Sequence, residues 1–194
     1  ILNCGGCHSP PGPDGAAKPF SGGILFDTPA FKAHAPNITP DKETGIGNYT
    51  DAQFLAALHQ GKRADSQNLY PAMSYTSYTY MTEADALAIK AYLFSLPAVH
   101  APAKQNKLSS PFDNRSLMGI WNAFYNADER FRPNTAQSAE WNRGAYLAEA
   151  MGHCSECHTP RNLAFAMNNR KKFAGALTAG WRAYNITADQ KAGL

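Results

Sequence analysis

Two stretches of the chain alternate apolar and polar positions with a helical period. In "TDAQFLAALHQG" (50–61), Phe54, Leu55 and Leu58 form an apolar stripe. Thr50 and Gln53 stand in capping-box spacing ahead of it, and Gly61 suits the C-terminal cap. In "TEADALAIKAYLFSLP" (82–97), Thr82 and Asp85 cap a helix whose Ile89, Tyr92, Leu93 and Leu96 share a face, and Pro97 follows its end. A third helix is expected over "RGAYLAEAMG" (143–152), and a short one around Trp121 and Phe124 in "RSLMGIWNAFY". Between them "APAKQNKLSSPFDN", rich in Pro, Ser and Asn, predicts a linker. The aromatic helix would pack between domains, with a partner-binding face as its alternative.

The same pattern contains a repeat. "PFSGG" (19–23) returns as "KFAGA" (172–176), and "NIT-x-D-x-x-x-G" at 37–45 returns at 185–193. Matches in the same order at nearly constant offset indicate a duplicated unit. The first copy runs on into two helices that the second lacks, and the second is preceded by a helix that the first lacks. The expectation is therefore a piece of a longer chain. Residues 1–98 read as one domain, 99–142 as a linker with a short helix, and 143–194 as a second, incomplete domain.

Chemistry enters with the cysteines. All four lie in two Cys-x-x-Cys-His motifs, "CGGCH" (Cys4, Cys7, His8) and "CSECH" (Cys154, Cys157, His158). That arrangement is the attachment signature of c-type haem. On a helical turn, residues three apart share a face, so both sulfurs can add to the two vinyl groups at one porphyrin edge. The following imidazole can then reach the iron. A redox dithiol, a zinc site built from both pairs, and structural disulfides are the competing readings. A redox dithiol requires no histidine after each pair, and the two pairs lie far apart for a zinc ribbon.

A haem closed on both faces needs a second ligand. In the first copy Met73, in the Pro-containing loop "LYPAMSYTSY", is the candidate. Methionine opposite histidine raises the potential and suits electron transfer. Met81 directly precedes a helix and reads as a hydrophobic staple. In the second copy Met151 and Met167 lie too close in sequence to the motif to reach the opposite face. His34, His59 and His100 have no partner spacing, and His153 is expected beside the ring edge. Asn37, Asn48 and Asn185 each head an Asn-x-Thr triplet, read as local hydrogen bonding rather than glycosylation.

Composition narrows the rest. The 194 residues are 44% hydrophobic and 17% charged, with a formal net charge of +3. No run of 18 apolar residues could span a bilayer. "RKK" at 170–172 is the one basic run, which gives a nucleic-acid partner little support. Cys4 follows residue 1 too closely for a signal peptide, so a mature or trimmed start is expected. No nucleotide loop, nucleophile elbow or zinc-protease helix occurs, and no catalytic residue is assigned.

At "APNITPDKETGIGNYTDAQFLAAL", "LYPAMSYTSY" and "EWNRGAYLAEAMGHCSECHTPRN" the chain resembles the multihaem cytochrome c subunits of bacterial membrane-bound dehydrogenases. These serve quinoprotein alcohol, flavin-dependent gluconate and fructose, and molybdenum aldehyde dehydrogenases. The implied fold is mainly α: tandem class I-type cytochrome c domains, each wrapping one covalently attached haem c. The resemblance implies Cys4, Cys7, Cys154 and Cys157 as attachment sites and His8, Met73 and His158 as iron ligands. It implies two haems here and a third in the full-length protein. It also implies a catalytic dehydrogenase subunit, an accessory or iron–sulfur subunit, and electron delivery to ubiquinone. The setting would be the periplasmic side of the inner membrane, reached through a membrane-associating region absent here. "PRNLAFAMNNRKKFAGALTAGWRAYNIT" looks more like the forms paired with molybdenum aldehyde or heterocycle oxidoreductases. The alternatives are a dihaem enzyme of peroxidase type and a free soluble electron shuttle.

Overall fold

The fold is built on helices that their own sequence starts and stops. In the computed structural model, which describes residues 2–28, 31–178 and 180–194, helix α3 (Asp51–Gln60) opens on a reciprocal capping box. Gln53 N–H donates to Thr50 Oγ1 at 3.2 Å, and Thr50 N–H donates to Gln53 Oε1 at 3.0 Å. Gly61 ends the helix at φ 62°, where an added Cβ would come within 2.8 Å of the Tyr75 ring. Only glycine combines that left-handed turn with so close a neighbour. Helix α5 (Glu83–Ser95) starts likewise, with Asp85 N–H donating to Thr82 Oγ1 at 3.1 Å.

α3, α5 and the short α4 (Tyr75–Tyr78) enclose the core of the first unit. Ile46, Phe54, Leu58, Tyr78, Met81, Ala86 and Leu93 form one buried cluster. Burial of each large side chain is worth roughly 1.5–3 kcal/mol. Met81 and Ala86 flank the start of α5 and are both fully buried there, as a staple requires. Leu2, Phe20, Met73 and Met151 pack at the cluster's edge.

The first attachment motif is itself a helix, α1 (Cys4–His8), followed by α2 (Pro13–Ala17). A small antiparallel sheet follows, an element the mainly helical expectation lacked. β1 (Leu25–Asp27) pairs with β2 (Phe31–His34), and β2 pairs with β3 (Lys107–Leu108). β3 comes from the stretch expected to be linker. It pairs with β2 opposite β1, covering an edge that would otherwise offer free backbone groups. Helices account for 35% of the structure and strands for 10%.

Helix α6 (Ser116–Tyr125) is the expected aromatic helix, and Trp121 Nε1 donates to the Ala164 carbonyl at 2.8 Å. The chain then crosses α3 and α4. Asn126 Nδ2 donates to the His59 carbonyl at 2.8 Å, Arg130 to the Thr79 carbonyl at 2.7 Å, and Phe131 N–H to the Tyr80 carbonyl at 2.9 Å. The helix expected over 143–152 starts earlier, as α7 (Ala139–Tyr146), because Ser138 caps it. It continues as a π-helical turn (Leu147–Met151) against α4. Tyr146 hydroxyl accepts Thr82 N–H at 3.2 Å and bonds Asp85, tying α7 to the start of α5. The second motif forms α8 (Ser155–His158), and β4 (Ala176–Thr178) and β5 (Trp181–Ala183) make a hairpin. Among the described residues no helix is long and apolar enough to cross a membrane.

Candidate haem sites

The two Cys-x-x-Cys-His turns are held by the same set of bonds. His8 Nδ1 lies 2.7 Å from the Pro36 carbonyl, and His158 Nδ1 lies 2.7 Å from the Tyr184 carbonyl. A carbonyl only accepts, so each Nδ1 carries the proton and each Nε2 keeps its lone pair for a metal. Both carbonyls come from the residue before the repeated Asn-Ile-Thr.

That loop is anchored alike in both copies. Asn37 Oδ1 accepts Thr39 N–H at 2.9 Å, and Asn185 Oδ1 accepts Thr187 N–H at 2.8 Å. Ile38 N–H reaches the Phe20 carbonyl and Ile186 N–H the Phe173 carbonyl, both at 2.9 Å. Phe20 and Phe173 share an unusual left-handed backbone, at φ 63° and 62°. Their N–H groups donate to Ser9 Oγ at 3.1 Å and Thr159 Oγ1 at 3.0 Å. Gly22 and Gly175, at φ 105° and 88°, each return an N–H to the histidine carbonyl at 2.8 Å. The Asn-x-Thr reading as a local hydrogen-bonding device fits this. Asn37 is 3% exposed, and its amide donates to Val99 O at 2.8 Å and Thr44 Oγ1 at 3.1 Å.

No disulfide joins any of the four cysteines. Burial pushes the Cys4 and Cys7 thiols above the ordinary value. Burial also lowers the His8 pKa, partly opposed by the bond to Pro36, which favours the neutral imidazole a metal needs. Among the described residues no three or more His, Cys, Asp and Glu side chains gather as a metal cage, so the two motifs do not converge on one zinc. Paired thiols on one turn, each followed by an imidazole with a free Nε2, fit haem c as a donor set.

Met73 lies in the loop before α4, half-buried at the edge of the core cluster, with its carbonyl accepting Tyr75 N–H at 2.8 Å. Met81 is wholly enclosed by core side chains. Met151 packs on the first unit's core, and Met167 lines a cleft beside α6. His153 stands at φ 40° beside the second motif, with Nε2 3.1 Å from the Leu2 carbonyl and its ring edge-on to Tyr78 at 5.6 Å. His59 is buried at the end of α3, and its Nε2 has no partner.

Sequence reasoning missed Pro36 and Tyr184, which act through backbone carbonyls. Their signal was their place before the repeated triplet. It also passed over Glu156, whose surroundings in the other unit no local pattern reveals.

Residues 2–97 match the Cytochrome c family. This chain is a c-type cytochrome. Its relatives agree. The cytochrome is 41% identical to a nicotinate dehydrogenase subunit of Pseudomonas putida, over 96% of this chain and 15% of that protein. It is 39% identical to the fructose dehydrogenase cytochrome subunit of Gluconobacter japonicus, over 99% of this chain and 39% of the relative. It is 36% identical to a diheme cytochrome c-type protein of Cereibacter sphaeroides, over 82% of this chain and 54% of the relative. The cytochrome thus spans about half or less of each of these relatives. Its cofactor is haem c.

Proposed function

We propose that the cytochrome is an electron-transfer subunit, carrying electrons from a catalytic dehydrogenase subunit through two c-type haems towards ubiquinone. Its setting is the periplasmic side of a bacterial inner membrane. Residues 1–98 and 143–194 are tandem class I-type cytochrome c domains joined by 99–142, each wrapping one haem. The observation that carries this reading is the doubled bond from proximal histidine to carbonyl, His8 to Pro36 and His158 to Tyr184.

Haem c supplies the one-electron Fe(III)/Fe(II) couple when bound. Cys4 and Cys7, and likewise Cys154 and Cys157, would hold the macrocycle through thioethers. His8 and His158 offer Nε2 to iron, and the bonded carbonyls make them better donors and fix their ring planes. Met73 would offer its thioether to the first haem's iron, which would raise the potential and shut out exogenous ligands. The conversion of substrate belongs to the partner.

For that partner we favour a molybdenum-type aldehyde or heterocycle oxidoreductase. Support comes from the stretch 160–187 and from the relative named for nicotinate, a nitrogen heterocycle. An accessory iron–sulfur subunit accompanies it in this reading. The test is isolation from native membranes. A large dehydrogenase subunit should copurify, its substrate should reduce the haems, and a ubiquinone analogue should reoxidise them. A cytochrome that isolates alone, and that no dehydrogenase reduces, contradicts the proposal.

A further inference from the structure

The two attachment turns differ at one position in a way their surroundings explain. The second variable residue of the motif is Gly6 in the first copy and Glu156 in the second. Gly6 is exposed, and a Cβ there would strike the Asn3 side chain at 2.5 Å. Glu156 instead turns into the other unit, with its side chain 12% exposed. Its Oε1 accepts from Thr76 Oγ1 at 3.2 Å and Ser77 Oγ at 3.0 Å. Its second oxygen is ion-paired with Arg161, which also donates to the Glu156 carbonyl at 3.1 Å. A carboxylate so far removed from water is tolerable only when its oxygens are hydrogen-bonded in this way.

Thr76 and Ser77 lie three and four residues beyond Met73. The backbone between them is drawn tight by the bond from Tyr75 N–H to the Met73 carbonyl. A second tie runs alongside: the Leu2 carbonyl accepts from Tyr78 Oη at 3.3 Å and lies 3.1 Å from His153 Nε2. The attachment turn of one unit is therefore fastened to α4 of the other, which directly follows the loop that carries Met73.

We propose that Glu156 is a positioning residue for Met73, so that closure of the first haem's distal face depends on docking of the second attachment turn. This rests on the reading of Met73 as the sixth ligand. Glu156 acts through the hydroxyls of Thr76 and Ser77, which hold α4 and with it the end of the loop that carries Met73. Without the carboxylate the loop is free to lift, and the first iron becomes reachable.

The test uses the whole holoprotein and cyanide as the probe, binding to the ferric first haem. Glu156→Ala should speed cyanide binding by about tenfold, the factor that one charge-assisted hydrogen bond is worth. Glu156→Gln keeps an acceptor for both hydroxyls and should stay near the parent rate. The pair Thr76→Val with Ser77→Ala should reproduce the effect, and should add little to Glu156→Ala, because both break one contact. That pair carries the test if the glutamate variant fails to fold. Met73→Ala is the reference for an open iron. If Met73→Ala opens the iron while Glu156→Ala, with both haems attached, matches the parent rate, the coupling is wrong and the axial assignment stands. If Met73→Ala leaves cyanide binding unchanged, the axial assignment falls and the coupling falls with it.

Discussion

The imidazole of His8 and the carbonyl of Pro36 meet at 2.7 Å across 28 residues of chain. What brings them together is Asn37, whose side chain accepts from Thr39 and donates to Val99 O and Thr44 Oγ1. Asn37→Ala leaves several buried partners unmatched and should cost about 2–3 kcal/mol. In the second copy Ala192 stands where Thr44 accepts from Asn37, so the Asn185 amide lacks that hydroxyl partner and Asn185→Ala should cost less. Denaturant unfolding of the holoprotein compares the two. Equal costs would contradict the difference in anchoring.

The two methionines of the first unit should separate cleanly. Met73→Ala is expected to lower the first haem's potential by at least ~59 mV, a tenfold change in a one-electron equilibrium. Met81→Ala removes a side chain with no exposed surface and should cost about 2–5 kcal/mol of stability, leaving the potential near the parent value. Spectroelectrochemistry and thermal unfolding on both variants decide this. A potential that follows Met81 instead would reverse the assignment.

His59 makes stability depend on pH. Burial lowers its pKa below 6.5, and the charge of Arg130 lowers it further, while Asp128 and Glu83 partly offset this. The folded chain then binds fewer protons than the unfolded chain between that lowered value and 6.5. Stability therefore rises with pH across the window and is lost as pH falls below 6.5. His59→Gln should remove that part of the slope, measured by unfolding at several pH values above the carboxylate range. A slope unchanged in the variant would place the titration elsewhere.

How much of this could be read from the residues varies by element. The caps at Thr50 and Thr82, and Gly61 as a terminator, are local interactions within four or five residues, so the letters carry them. The haem motifs were legible for the same reason, since the thiols and the imidazole occupy one turn. β1 and β2 are three and four residues long, too short to show a period of two, and β3 hides in a stretch rich in Ser and Pro. The helix before the second motif was found, but its change to π geometry at Leu147 was not, since it packs against α4 from another part of the chain. Glu156 carries no local signal in the sequence. Its partners lie about 80 residues away, and only the docking of the two units brings them into reach.

Two haems fixed to this chain through sulfur would show in its intact mass under denaturing acid. The expected mass is that of a polypeptide carrying two haems that acid–acetone does not strip, falling to one when Cys154 and Cys157 are both replaced by alanine. A bare polypeptide mass with four free thiols would contradict it.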